Sequence, residues 1–331
     1  MIQKFTGIAA AAFITSLILT SCGSKVPTMD DSFVSVTGAS NEAEISSEPD
    51  ASEISDAAMY VTEKYRETET EPFSIDVSVP DDYTIPDSFV LDGFETVLQE
   101  PELPTGCEIT ALAEVLNYHG FNIDKEELCD NFMPVDYAGS VTMTQAYLGD
   151  PRSNNGFGCY SPVIVKSAYE YFESIDSPCY AADLSGTDFR DLFYQIYQGR
   201  PVIVWATMYL TESYPNYKWT AGNGEDMIFN DYQHCMAIYG YDLNEGIVYA
   251  GDPLVGNTTY SIDQFEMIYD IMYKQAVVIC GDSETEGNFT PDPEIENNDV
   301  WSRKEQLIEE NSADSGYELT DVNTADSYME E

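Results

Sequence analysis

A chain of 331 residues that sets 60 acidic side chains against 13 basic ones carries a formal charge of -47. Such a surface repels phosphate backbones, which argues against a nucleic-acid partner, and the length allows one large domain or two modest ones. The charge is uneven: residues 26–88 hold 16 acidic and 2 basic side chains, residues 281–331 hold the same numbers, and these flanks account for -28 of the total. Both flanks read as solvated, self-repelling tethers.

The chain opens on a targeting segment over residues 1–22. Lys4 supplies a short positive region, and the apolar run Ile8 to Leu19 is too short to span a bilayer comfortably. It ends in Leu19-Thr20-Ser21-Cys22-Gly23, which resembles the bacterial lipoprotein signal. The resemblance implies that Cys22 becomes the lipidated first residue of the mature protein; an ordinary secretory signal or a membrane anchor is the other reading. Either way the folded part works outside the cytoplasm, on the outer face of the cell membrane if lipid-anchored.

Residues 23–88, rich in Ser, Glu, Asp and Thr, read as an acidic flexible linker. Residues 89–281 are the folded domain, and 282–331 an acidic disordered tail. An exported domain can form disulfides, and Cys159 with Cys179 is one possible pair among the six cysteines after Cys22. No CxxC pair is present, so a structural zinc site has no support.

The domain begins helical. In Leu103-Pro104-Thr105-Gly106-Cys107-Glu108, Thr105 is a good N-cap and Glu108 stands at capping-box spacing. Ile109, Leu112, Ala113 and Leu116 then recur at helical spacing up to a stop at Gly120. Asp124 with Glu127 caps a second helix, residues 133–160 read as loop, and Ser161-Pro162 opens a third helix. A fourth runs from Thr187 to Gly199. Strands follow: residues 201–206 are apolar and β-branched, residues 211–233 form a long polar and aromatic loop, and residues 234–241 and 246–251 form a hairpin. Asp263 with Glu266 caps a short helix, and Lys274 to Cys280 closes the sheet. Helices first and an antiparallel sheet second define an α+β domain.

Cys107 falls in the first turn of its helix, where free N–H groups and the positive end of the helix dipole favour a thiolate. That environment suits a nucleophile, although a small buried cysteine near a helix end has the same sequence. Only two histidines exist. His119 lies twelve residues further along the same helix, roughly 18 Å away at about 1.5 Å per residue, and reads as a cation near the helix C-terminus. His234, 127 residues after Cys107, is therefore the candidate base; papain-like enzymes place theirs roughly 130–150 residues downstream. If the hairpin turns at 242–246 in an even register, Asp252 lands beside His234 on the same face, where it can fix the imidazole tautomer. Asp242 is the reserve. An oxyanion hole needs donors near the thiol, for which the Cys107 N–H and the Gln99 amide are candidates; Gln99 as a plain surface residue is the alternative.

Gln99, the run Pro101 to Glu108, Asn117-Tyr118-His119-Gly120, the segment from His234 to Asp242, and Asp252-Pro253 together resemble the C39-like cysteine peptidase family over about residues 89–281. The resemblance implies a papain-like fold with Cys107 as nucleophile, His234 as base, Asp252 as orienting acid and Gln99 as oxyanion donor. It implies no cofactor and no metal. The substrate would be a peptide or protein, and the chain a membrane-tethered monomer. This chain lacks the transporter segments of the exporter peptidases that name the family, so their double-glycine specificity is not carried over. Cell-wall amide hydrolysis and acyl transfer use the same groups. A non-catalytic surface module that binds peptides or glycans through Tyr209, Tyr214, Tyr217 and Trp219 is the rival from another class.

Overall fold

The computed structural model describes residues 73–287 and the backbone of Thr320 and Asp321. The targeting segment with Cys22, most of the expected linker and most of the acidic tail lie outside these residues.

Among the described residues, five α-helices and twelve strands follow the order expected at coarse scale. Strand β1 (Ser88–Val90) precedes helices α1 (Cys107–Tyr118) and α2 (Lys125–Phe132). Two short strands, β2 (Val135–Asp136) and β3 (Tyr147–Leu148), lead to α3 (Ser161–Ser174), β4 (Tyr180–Asp183) and α4 (Leu192–Tyr197). Strands β5 (Val202–Thr207), β6 (Pro215–Thr220), β7 (Asp226–Asn230), β8 (Gln233–Asp242), β9 (Ile247–Asp252) and β10 (Gly256–Ser261) come next. Helix α5 (Ile262–Ile271), β11 (Ala276–Cys280) and β12 (Thr320–Asp321) complete the order. The main sheet runs β10-β9-β8-β5-β11-β4, antiparallel throughout, with β1 added to β8 beyond the end of β5. Every residue of β5 is buried, as expected where both faces of a central strand are covered. Helix α1 is buried from Cys107 to Leu116 and packs across β8 and β5, which makes it the spine of the domain.

Several expectations change. Residues 73–87 are not a free spacer: Ile75, Val77 and Ile85 pack against the core, and the Tyr180 hydroxyl donates to the Ile75 carbonyl at 2.6 Å. The fourth helix is shorter than expected, because residues before Leu192 form turns. The segment 211–233 is no loop but the hairpin β6–β7, closed by Gly224 at φ +88°. Trp219 and Met227 on that hairpin join Met143, Leu148, Tyr160 and Tyr273 in a second apolar cluster, with the Phe157 ring tilted against Trp219 at 5.1 Å. Strand β12 pairs with β6 in parallel.

The β8–β9 hairpin carries a bulge. Tyr241 pairs with Val248 and Gly240 with Tyr249, whereas Ile238 pairs with Ala250 and Ala237 with Gly251. Tyr239 is the extra residue. Its ring stacks on Phe94 at 4.6 Å and its carbonyl accepts the Leu91 N–H at 2.9 Å, so the segment after β1 holds the bulge. Gly240 is needed here, because a Cβ would meet the Phe89 carbonyl and Val90 at 3.0 Å.

Candidate active site

The helix that carries Cys107 starts one residue later than expected. Gly106 is the N-cap and no side chain caps it; Thr105 instead donates its hydroxyl to the Ser153 carbonyl at 2.9 Å. Cys107 is therefore the first helical residue, and Glu108 is released from any capping box. Glu108 turns inward, 1% exposed. The Cys107 thiol donates to its Oε2 at 3.3 Å, while Oε1 accepts the Cys159 N–H at 2.9 Å and the Gln233 amide at 3.4 Å. Gly158, at φ +106°, has to be glycine, since a Cβ would land on Glu108 Oε1.

His234 and Asp252 are both fully buried, and His234 Nε2 lies 2.8 Å from Asp252 Oδ1. Asp252 also accepts the Leu254 N–H at 2.8 Å on Oδ1 and the Tyr260 hydroxyl at 2.6 Å on Oδ2. Burial works to raise this carboxyl, but the hydrogen bond and charge of His234, with Tyr260 and Leu254, hold it below the usual carboxylate value. The other ring nitrogen, Nδ1, is buried and has no partner. One residue along β8 from His234, the Cys235 backbone N–H is placed to favour a negative charge on the Cys107 sulfur. Asp242, the reserve, bonds instead to the Asn244 and Glu245 N–H groups in the turn.

The expected thiolate does not follow from the helix terminus alone. Burial pushes the Cys107 thiol well up, the neighbouring Glu108 adds to the rise, and the Cys235 N–H offsets only part of it. Nor is His119 a cation. Burial depresses its pKa to about 4, leaving a neutral ring packed edge-on to Tyr118 at 5.3 Å.

Gln99 is 1% exposed rather than on the surface. Its N–H donates to the Pro253 carbonyl at 2.8 Å, tying its loop to the end of β9, and its side-chain amide donates one hydrogen to the Pro104 carbonyl at 2.6 Å. The side-chain carbonyl oxygen, Oε1, is buried without a hydrogen-bond partner. Lys125 clamps the same loop through the Gln99 carbonyl at 2.9 Å and Glu102 at 2.8 Å. Glu114, further along α1, is buried, with its carboxyl pushed well up by burial, and accepts the Val97 N–H at 3.0 Å.

Sequence reasoning missed Glu108, Gln233, Tyr260 and Glu114. The signal for Glu108 was its position directly after Cys107; Tyr260 and Glu114 carry no comparable signal. The aromatic binding surface is not assembled as expected, since Trp219 is 2% exposed while Tyr209 is 62% exposed. All six cysteines of the described domain are free, so Cys159 and Cys179 are not joined. Among the described residues no group of three or more His, Cys, Asp or Glu side chains is arranged to hold a metal ion.

The site thus sets a cysteine at the head of a buried helix against a strand that presents a carboxylate-bound histidine. The model of the Peptidase_C39 like family matches residues 92–277, and the chain belongs to that family. It is 31% identical over 187 residues to the uncharacterized protein YvpB of Bacillus subtilis (strain 168), covering 55% of this chain and 72% of YvpB. A crystal structure from Bacillus anthracis, described as a candidate C39-like peptidase, is similar with a TM-score of 0.53 at 26% identity; the match covers 60% of this chain and 99% of that one.

Proposed function

We propose that this protein is a papain-like cysteine peptidase that works outside the cytoplasm, held to the membrane by a lipid on Cys22. The observation that carries the reading is the His234 ring, which has Nε2 bound to Asp252 and a buried, partnerless Nδ1. A nitrogen in that state is ready to take a proton.

Cys107 gives its proton to His234 Nδ1, and the sulfur attacks the peptide carbonyl. The negative charge that forms on the carbonyl oxygen is met by the Cys107 N–H and the Gln99 amide. His234 returns the proton to the leaving amine as the C–N bond breaks, leaving a thioester. Water, deprotonated by the same nitrogen, attacks the thioester, and the proton goes back to sulfur as the acid leaves. Asp252 fixes the tautomer and stabilises the imidazolium.

The test is iodoacetamide labelling of the full chain across pH 4 to 9 with peptide mapping, for the wild type and His234→Ala. Selective labelling of Cys107 at low pH, lost in the variant, supports the reading, and a peptide-library screen with Cys107→Ala as the control then defines the bonds cut. Labelling no faster than an ordinary thiol of pKa about 8.5, unchanged in the variant, would favour the binding module, a reading that the 5% exposure of Cys107 also suits. Anchoring is tested by cell fractionation: Cys22→Ala should move the protein from membrane to soluble fractions.

A further inference from the structure

The site contains one group that the peptidase mechanism does not use. Glu108 touches the reacting sulfur through Oε2 at 3.3 Å, and among the described residues no lysine or arginine pairs with it. A buried carboxylate in that position opposes the formation of a second negative charge on sulfur. The groups that face it are Cys107 from its own helix, Tyr147 from β3, Cys159 from the segment before α3, and Gln233, His234 and Cys235 from β8. His234 is the one group among them that can become a cation.

The two oxygens differ. Oε1 already accepts two N–H groups, from Cys159 and Gln233. A proton on this carboxyl group therefore sits on Oε2, the oxygen that faces sulfur.

Resting on the cysteine-nucleophile reading above, we propose that Glu108 is a fourth member of the reactive centre, one that parks the thiol when ionised and supports the thiolate when protonated. In the parked form the thiol S–H donates to the Glu108 carboxylate and the His234 ring is neutral. Uptake of one proton from solvent converts this to the reactive form. The solvent proton comes to rest on Glu108 Oε2, the thiol proton moves to His234 Nδ1, and the Oε2–H now donates to the thiolate. Proton count and charge balance, and the extra positive charge resides on the imidazolium.

Burial raises the Glu108 carboxyl, which moves the switch to the alkaline side of an ordinary glutamate. The proposal gives a sign: Cys107 reactivity falls as pH rises through the Glu108 titration, then recovers at alkaline pH when the thiol loses its proton unaided.

Glu108→Gln tests it. The carboxamide oxygen still accepts the Cys159 N–H, and the amide nitrogen faces sulfur as a permanent donor. We expect the wild type to label with iodoacetamide along a curve with an acid-side maximum, and E108Q to lose that maximum and label at least tenfold faster than the wild type at pH 8. A wild-type profile that rises monotonically, or an E108Q profile that follows the wild type within twofold, overturns the proposal. If E108Q does not fold, the wild-type profile alone decides. Infrared difference spectra between acid and neutral pH give a second readout: subtracting the E108Q difference from the wild-type one removes the bands of the other carboxyls, a remaining protonated-carboxyl band lost on raising the pH supports the assignment, and identical spectra overturn it. His234→Ala separates this from the parent reading, which fails if that variant labels like the wild type at every pH.

Discussion

His234 and Asp252 meet at 2.8 Å because Tyr239 stands unpaired between the turn and the site. Continued from the turn without that extra residue, the pairing of Tyr241 with Val248 would set Ala237 opposite Asp252, on the face away from His234. The bulge shifts the register by one, so that Asp252 falls opposite Met236 and on the side of His234. Asp252→Asn keeps the shape but reverses the hydrogen-bond preference at Oδ1. We expect a loss of about 10²–10⁴-fold in turnover, read as kcat/KM on whichever peptide the screen identifies and as slower Cys107 labelling at pH 6. Because the folded carboxyl lies below its unfolded value, the stability it contributes is present above the unfolded pKa and lost as pH falls through the folded one. Urea melts of D252N should therefore be less sensitive to pH in the acid range below about 4.

His119 supplies a different pH window. Its folded pKa of about 4 lies below the usual histidine value, so between the two the unfolded chain binds a proton that the native one refuses. Stability falls as pH drops from about 6.5 to about 4, by no more than about 3 kcal/mol. His119→Gln should flatten that slope in denaturant titrations at pH 4 and 7 while leaving Cys107 labelling as it was.

Gly251 marks the crowded junction behind Asp252. A Cβ there meets Phe94 at 2.6 Å, the Glu114 carboxyl at 2.9 Å and Thr96 at 3.0 Å. Gly251→Ala should cost about 1–3 kcal/mol, seen as a lower melting temperature. Because Glu114 holds the Val97 N–H in the loop that leads to Gln99, substrate turnover should fall more than Cys107 labelling does.

Trp219 anchors a cluster separate from the main core. Trp219→Ala should destabilise that cluster by about 3–5 kcal/mol. Hydrogen exchange should rise in β6 and β7 but stay slow in β8, whose residues 233–238 are held by β5.

Coarse order was legible in the sequence because each helix carries its own apolar period and, at Asp124, its own cap, accepting the Glu126 N–H at 2.8 Å. The proximity of His234 and Asp252 was legible because histidines are so few that elimination left His234 and the hairpin register put Asp252 beside it. Glu108 was not, since Ser/Thr-x-x-Glu spacing reads the same whether the acid caps a helix or enters a site. Only the tertiary pull of Ser153 on Thr105 decides between them. The β6–β7 hairpin had a usable signal, the Asn223-Gly224 pair, masked by the polar residues around it. Gly240 between two tyrosines of an otherwise mostly apolar strand was the trace of the bulge.

The pairing of β5 with β8 closes at Thr207 and Gln233, one residue beyond the Ala206–His234 pair. Everything from 208 to 232 therefore leaves and rejoins the sheet at adjacent points, with Met208 N–H bonded to the Tyr232 carbonyl at 2.8 Å across the neck. A segment clasped at its base can change length without moving His234. Its outer part is held instead through Trp219 and Met227 to Met143, Leu148, Tyr160 and Tyr273, so its packing is separate from the strand that carries His234. A homologue with a short turn in place of 208–232 would keep the chemistry and differ in what reaches it.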